Sequence, residues 1–264
     1  MNDLSAILIM AIVQGIAEFL PVSSSGHLAV IGHFFGLKDT AQTSIFLHGG
    51  TLIAIVFYYF KQLVKMTRKE SRHTVLLVII GSIPAGIIGA SLKLSGLVDK
   101  LSDDLIIPAI CFIITGFILM LGMKKRDNNT SINEMPVKTA LLIGLAQGIA
   151  ILPGISRSGS TIASGLKCGI KKEDCAEFSF LLAIPAIAGA AFLEIVSLLG
   201  QKDIHAQSGH YINLGIGFAV SAVIGYISLC LLVRMLQSGK LKIFAWYLFA
   251  IGTALLIWRI RLFL

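Results

Sequence analysis

Apolar residues run along this chain in eight long blocks. Six of them are unbroken, at roughly 44–60, 74–95, 105–123, 178–199, 212–236 and 243–264. Each approaches the ~20 residues that carry a helix across a bilayer. The first is the shortest, and its end is ragged at Tyr58, Tyr59 and Phe60. The other two blocks, about 4–37 and 139–170, are interrupted near the middle, at Pro21 to Gly26 and at Pro153 to Gly159. Each half of a broken block holds only ~10–17 apolar residues, the length of a re-entrant piece and not of a span. The pattern predicts an all-α integral membrane protein with six transmembrane helices and two re-entrant helical hairpins.

The two interruptions repeat each other. Gln14-Gly15-Ile16-Ala17 leads into Glu18-Phe19-Leu20-Pro21-Val22-Ser23-Ser24-Ser25-Gly26-His27. Gln147-Gly148-Ile149-Ala150 leads into Ile151-Leu152-Pro153-Gly154-Ile155-Ser156-Arg157-Ser158-Gly159-Ser160-Thr161, 133 residues further on, half the length of the chain. Three spans separate the copies, an odd number, so the halves 1–123 and 139–264 of one membrane domain, 1–264, have opposite topology. That is the inverted-repeat arrangement, with two hairpin tips meeting near the midplane. A second apparent repeat, Ile83-Pro84-Ala85 and Ile184-Pro185-Ala186, falls in spans that do not correspond.

Charge then sets orientation. Lys61, Lys65, Arg68, Lys69 and Arg72 crowd one loop, and Lys124, Lys125, Arg126 and Lys138 another. Both are placed in the cytoplasm by the positive-inside rule. The acidic loop around Asp99, Asp103 and Asp104 and the loop 200–211 fall outside, and Lys171, Lys172, Lys240 and Lys242 inside. Only Arg259 and Arg261 fit badly, on the outer side. Composition agrees: 56% hydrophobic, 14% charged and a mean hydropathy of +0.86, against ~25% charged residues in soluble domains. The net charge of +8 reads as basic cytoplasmic loops, and nothing suggests nucleic-acid binding. Met1-Asn2-Asp3 lacks the basic start of a cleaved signal peptide. The four cysteines, at 111, 168, 175 and 230, have no zinc-site spacing and read as free thiols.

Chemistry gathers at the breaks. Gln14 and Glu18, four apart, share a helix face. A charge at Glu18 inside the bilayer costs on the order of 2.5–3.5 kcal/mol, which marks it as functional, whereas Glu194 near a span end reads as structural. Ser23, Ser24 and Ser25 open an apolar run after Pro21, where serines cap helices and free N–H groups suit a phosphate. His27 lies one turn past Ser24, within reach of its side chain. At the second break Ser156, Arg157, Ser158 and Thr161 form a phosphate cradle by composition, with Arg157 for bidentate contacts. A permanently charged Arg157 needs an anionic partner, and Glu18 from the other tip can serve.

These residues resemble the bacterial undecaprenyl-diphosphate phosphatases of the BacA/UppP type. The likeness covers essentially the whole chain and rests on two motifs, the box from Gln14 through Glu18 to Pro21-Val22-Ser23-Ser24-Ser25-Gly26-His27 and the box Pro153 to Thr161. It implies removal of the terminal phosphate from a C55 prenyl diphosphate in the bacterial inner (plasma) membrane, recycling the carrier for cell-wall synthesis, with a cleft open to the outer face and an effect on bacitracin sensitivity. Carried over by motif position, Glu18, Ser24, His27 and Arg157 are catalytic, with Gln14, Ser23, Ser25, Ser156, Ser158 and Thr161 around the phosphates. Gln14 fills a slot that is Glu in some members and offers a neutral oxygen. Acid-phosphatase-like lipid phosphatases also use Ser-Gly-His and Ser-Arg pieces, but the His they need beyond the Ser-Arg pair is missing at Ile162, Ala163 and Ser164.

Ser24 is the expected nucleophile, assisted by His27 or Glu18, with a metal-activated water as the alternative attacking group. Mg²⁺ or Ca²⁺ is expected to bridge Glu18 and diphosphate oxygens; no organic cofactor is expected. Partners are the polyprenyl diphosphate, membrane lipids and, left open, a second copy in a homodimer. A transporter or flippase of a polyprenyl phosphate is the rival reading, because inverted repeats with midplane breaks are also a transporter architecture.

Overall fold

The protein is described by a computed structural model covering residues 3–37, 41–97, 101, 104–123, 129–199 and 208–261. Asp99, Asp103, Lys124 to Arg126 and most of the loop 200–211, used above for orientation, lie outside the described residues. Among the described residues eleven α-helices follow one another: α1 Asp3–Ala17, α2 Ser24–Phe35, α3 Ala41–Tyr58, α4 Phe60–Met66, α5 Arg72–Leu94, α6 Ile106–Gly122, α7 Val137–Ile149, α8 Arg157–Lys167, α9 Lys172–Leu199, α10 Ser208–Gln237 and α11 Lys242–Arg261. Among the described residues there is no strand, only an isolated bridge between Thr130 and Ile170.

The six predicted spans correspond to α3, α5, α6, α9, α10 and α11. Four of these helices, α5, α9, α10 and α11, are long and apolar enough to cross a membrane. The α3–α4 pair passes the same test together but bends by 73° at Tyr59, the point where the apolar run frays. α6 is apolar throughout but has only 17 residues. Large apolar side chains cover the outside, with Phe57 74% and Trp246 64% exposed. In water such a surface would drive association; in hydrocarbon it is the solvated face. The chain is an integral membrane protein.

Each broken block folds as a helix–turn–helix, α1–α2 and α7–α8. α1 lies against α10, and α7 lies against α5. The close approaches correspond as well. A Cβ on Gly15 would come within 2.9 Å of Ile224, and one on Gly148, 133 residues on, within 2.6 Å of Ile88. Gly217 faces Ile7, as Gly81 faces the carbonyl oxygen of Ala140. α3 packs on α9 and α6 on α11, each helix meeting its counterpart in the other half. In membranes, where apolar contact with a neighbour gains little over contact with lipid, small residues that let backbones approach supply the packing.

Pro84 and Pro185 both lie inside continuous helices, α5 and α9. The poorly fitting Arg259 has a partner: its Nε donates to Asp104 Oδ1 at 3.3 Å. The acidic loop thus balances a cation at the end of α11.

Candidate active site

The two turns between paired helices touch at their tips. A Cβ on Gly26 would strike Gly154 Cα at 2.8 Å and the Phe112 ring at 2.5 Å, and one on Gly159 would press on Pro21 at 3.2 Å. Only glycine permits this approach. Both second helices begin with the same cap. The Ser23 hydroxyl accepts from the N–H of Gly26 at 3.3 Å and the Ser156 hydroxyl from that of Gly159 at 3.1 Å. In each tip the cap hydroxyl also lies 3.3 Å from a second serine, Ser25 or Ser158. Two helix N-termini are therefore brought together, and backbone N–H groups there suit an anion.

Between the tips lies a cleft lined by Ala17, Glu18, Ser23, Ser24 and Ser25 from the first and by Ala150, Ile155, Ser156 and Arg157 from the second. Glu18, only 8% exposed, is its hub. Its Oε1 accepts from Arg157 Nη2 at 2.6 Å. Its Oε2 accepts from the Ser24 hydroxyl at 2.7 Å and from Gln14 Nε2 at 3.1 Å. Breaking a buried pair of this kind by removing one partner typically costs ~3–5 kcal/mol. Arg157 is further held by the Phe180 face, 5.7 Å from its Cζ. Its Nη1 is buried without a hydrogen-bond partner, as is Gln14 Oε1.

Other expected residues are placed differently. Ser24 and His27 are not hydrogen-bonded to each other. His27 Nδ1 lies 2.8 Å from the Ser23 carbonyl, which can only accept, so Nδ1 carries the proton and Nε2 accepts from the Tyr247 hydroxyl at 2.7 Å. The ring is also packed on Phe112. Of the two helpers expected for Ser24, the structure brings Glu18 to the hydroxyl and turns His27 towards α11. Ser158 donates to the Leu20 carbonyl at 3.4 Å, joining the tips. Thr161 is buried against the Arg157 carbonyl and Ser179, supporting the first turn of α8 from behind.

Further neighbours were absent from the sequence reading. Tyr247 comes from α11 and Phe180 from α9. His48 comes from α3, with Nε2 3.9 Å from Glu18 Oε2. Thr115 on α6 also contributes, accepting from the Ser156 N–H at 3.2 Å and donating to the Gly154 carbonyl at 3.1 Å, which fixes the second tip.

A polytopic helical membrane protein with two helix N-termini, paired hydroxyls and an Arg–Glu couple at its centre belongs to the class that handles anionic headgroups within the bilayer. The family described as "Bacitracin resistance protein BacA" matches residues 7–254. The chain is 35% identical to the "Undecaprenyl-diphosphatase" of Methanosphaera stadtmanae over 96% of both chains. It is 34% identical to that of Halothermothrix orenii, covering 97% of this chain and 98% of the relative, and 37% identical to that of Rhodopirellula baltica, covering 99% and 100%. The chain belongs to the BacA family.

Proposed function

We propose that this chain hydrolyses undecaprenyl diphosphate to undecaprenyl phosphate and phosphate, recycling the lipid carrier of cell-wall synthesis, with bacitracin resistance as a consequence. Family membership and relatives aligned over nearly the whole chain support the substrate and the reaction. The observation that carries the chemistry is the line Ser24–Glu18–Arg157 across the two tips.

In this reading the diphosphate enters between the tips. The Arg157 fork and the N–H groups of α2 and α8 hold its oxygens and stabilise charge that develops during transfer. Ser24 Oγ attacks the terminal phosphorus, and its proton passes to Glu18 Oε2. The bond from that phosphorus to the bridging oxygen breaks, and undecaprenyl phosphate leaves with the oxygen. Water then cleaves the Ser24 phosphoester, releasing phosphate and restoring the hydroxyl. Ser23 and Ser156 keep the two N-termini capped.

The site lacks charge for this task. Glu18 and Arg157 cancel, so a diphosphate arrives without enough positive charge to meet it. Among the described residues no group of three or more His, Cys, Asp or Glu could hold a metal ion. One carboxylate plus substrate phosphates is, however, how Mg²⁺ is commonly held, and the unpartnered Gln14 Oε1 beside Glu18 is a fitting hard donor. Glu18 and Gln14 would hold such a cation; bound there, it supplies neutralisation of the diphosphate.

The halves 1–123 and 139–264 form the inverted repeat, placed in the bacterial inner membrane with the cleft open outward. The test is phosphate release from undecaprenyl diphosphate by protein purified in detergent, with no membrane and no gradient. Release by the wild type and its loss in Glu18→Gln are expected. A wild type that binds the lipid but releases no phosphate would sink the hydrolase reading in favour of a lipid carrier.

A further inference from the structure

His48 stands outside both sequence motifs, yet it faces the hub of the cleft. Its Nδ1 lies 3.0 Å from the Ser44 carbonyl one turn earlier on α3. That carbonyl can only accept and is nearer than the Ser44 hydroxyl, 3.3 Å away, so Nδ1 carries the proton and Nε2 keeps its lone pair. Nε2 lies 3.9 Å from Glu18 Oε2. This is too far for a hydrogen bond. It falls between the ~3.0 Å and ~4.2 Å that separate adjacent and opposite ligands of one metal ion held about 2.1 Å from each. A second observation points to the same place. Gln14 is fully buried and its Oε1 has no partner, although its Nε2 sits 3.1 Å from the same Glu18 oxygen. A half-turn of the amide exchanges Nε2 for Oε1 there and presents an oxygen where a cation would need one. Fixing a histidine's tautomer by a carbonyl at its far nitrogen is the usual outer support of a metal-binding imidazole.

We propose that His48 is a ligand of the divalent cation that accompanies the diphosphate, joining Glu18 and Gln14, and that its nitrogen biases the site towards Mn²⁺ over Ca²⁺. The inference rests on the hydrolase reading for the diphosphate. Oxygen-only sets favour Mg²⁺ and Ca²⁺, whereas an imidazole shifts preference to first-row transition ions. The small number of protein ligands leaves positions for phosphate oxygens, so the ion and the diphosphate are held jointly.

The experiment loads detergent-purified protein with Mn²⁺ and methylenediphosphonate and reads the bound ion by pulsed electron paramagnetic resonance. Couplings to both ³¹P and a single imidazole ¹⁴N are expected in the wild type. His48→Gln should keep the ³¹P coupling and lose the ¹⁴N coupling. The ratio of Mn²⁺ to Ca²⁺ affinity, measured by competition, should fall by roughly tenfold or more. Phosphorus coupling without nitrogen coupling in the wild type overturns the role of His48 while leaving the hydrolase reading intact. Absence of both overturns the joint site. A hydrolase failure appears separately, as no phosphate release from the lipid by the same preparation.

Discussion

At Arg157 a single side chain holds one anion and leaves an arm for a second. One arm of the guanidinium, Nη2, is held by Glu18 at 2.6 Å, while Nη1 is buried without a partner. A planar fork can keep the first contact and offer the second to a phosphate oxygen; an ammonium cannot do both in fixed directions. Arg157→Lys keeps the charge beside Glu18, so the fold should survive, with a thermal midpoint close to wild type in detergent. Turnover should fall by about 100-fold or more, the size of effect seen when a donor to developing charge is removed. Phosphate release at saturating lipid measures this, and near wild-type turnover would take Arg157 out of the chemistry. Ser23 shows the same concentration of demands. It is the one non-glycine residue with positive φ, 72°, among the described residues, a conformation that costs on the order of 1–3 kcal/mol. In it, the Ser23 hydroxyl caps α2 and its carbonyl meets His27 Nδ1. Its counterpart Ser156 caps α8 at an ordinary φ of −77°. The strain therefore sits only in the tip that carries the carboxylate.

Among the helices, close packing of small residues holds the hairpins in place. A Cβ on Gly144 would lie 1.9 Å from the carbonyl oxygen of Gly81 and 2.8 Å from its carbonyl carbon. Backbone cannot swing aside as a side-chain tip can, so Gly144→Ala must push α7 off α5 and carry the second tip with it. This variant should lose thermal stability by several degrees and most of its activity. Gly86, on α5, has nothing within 4 Å of where its Cβ would be, and Gly86→Ala should behave as wild type; equal melts for the two variants would refute the packing argument. The same scale explains what the sequence made legible. Pro21 and Pro153, followed by serines and glycines, advertise helix ends in an apolar background, so both caps, both hairpins and the Glu18–Arg157 couple could be read directly. His48, Phe180 and Tyr247 could not. They project from α3, α9 and α11, away from both proline-marked breaks, and only tertiary packing brings those faces to the tips. His48 did offer a signal, a histidine within an otherwise apolar run. The bend after α3 was visible only as a ragged end, because neither proline nor glycine marks Tyr58, Tyr59 and Phe60.

For the whole molecule, the proposed inverted repeat requires three crossings between the hairpins and hence opposite topology of the halves; α1 on α10 and α7 on α5 are the corresponding packings. Charge gives the direction. The positive-inside rule predicts the cytoplasmic side for the loop carrying Lys61 to Arg72 and for the Lys171–Lys172 pair, and the Arg259–Asp104 contact at 3.3 Å gives the arginine that fits this orientation badly an acidic partner. Ser95, exposed after α5, should then lie outside, and Lys171, exposed before α9, inside. In a background without Cys111, Cys168, Cys175 and Cys230, Ser95→Cys should react with a membrane-impermeant thiol reagent added to intact cells. Lys171→Cys should react only after the cells are opened. Labelling of both from the same side would contradict the odd number of crossings between them, and with it the inverted arrangement that brings the two tips together. Labelling of Lys171→Cys alone in intact cells would keep the repeat and reverse its direction, turning the cleft towards the cytoplasm.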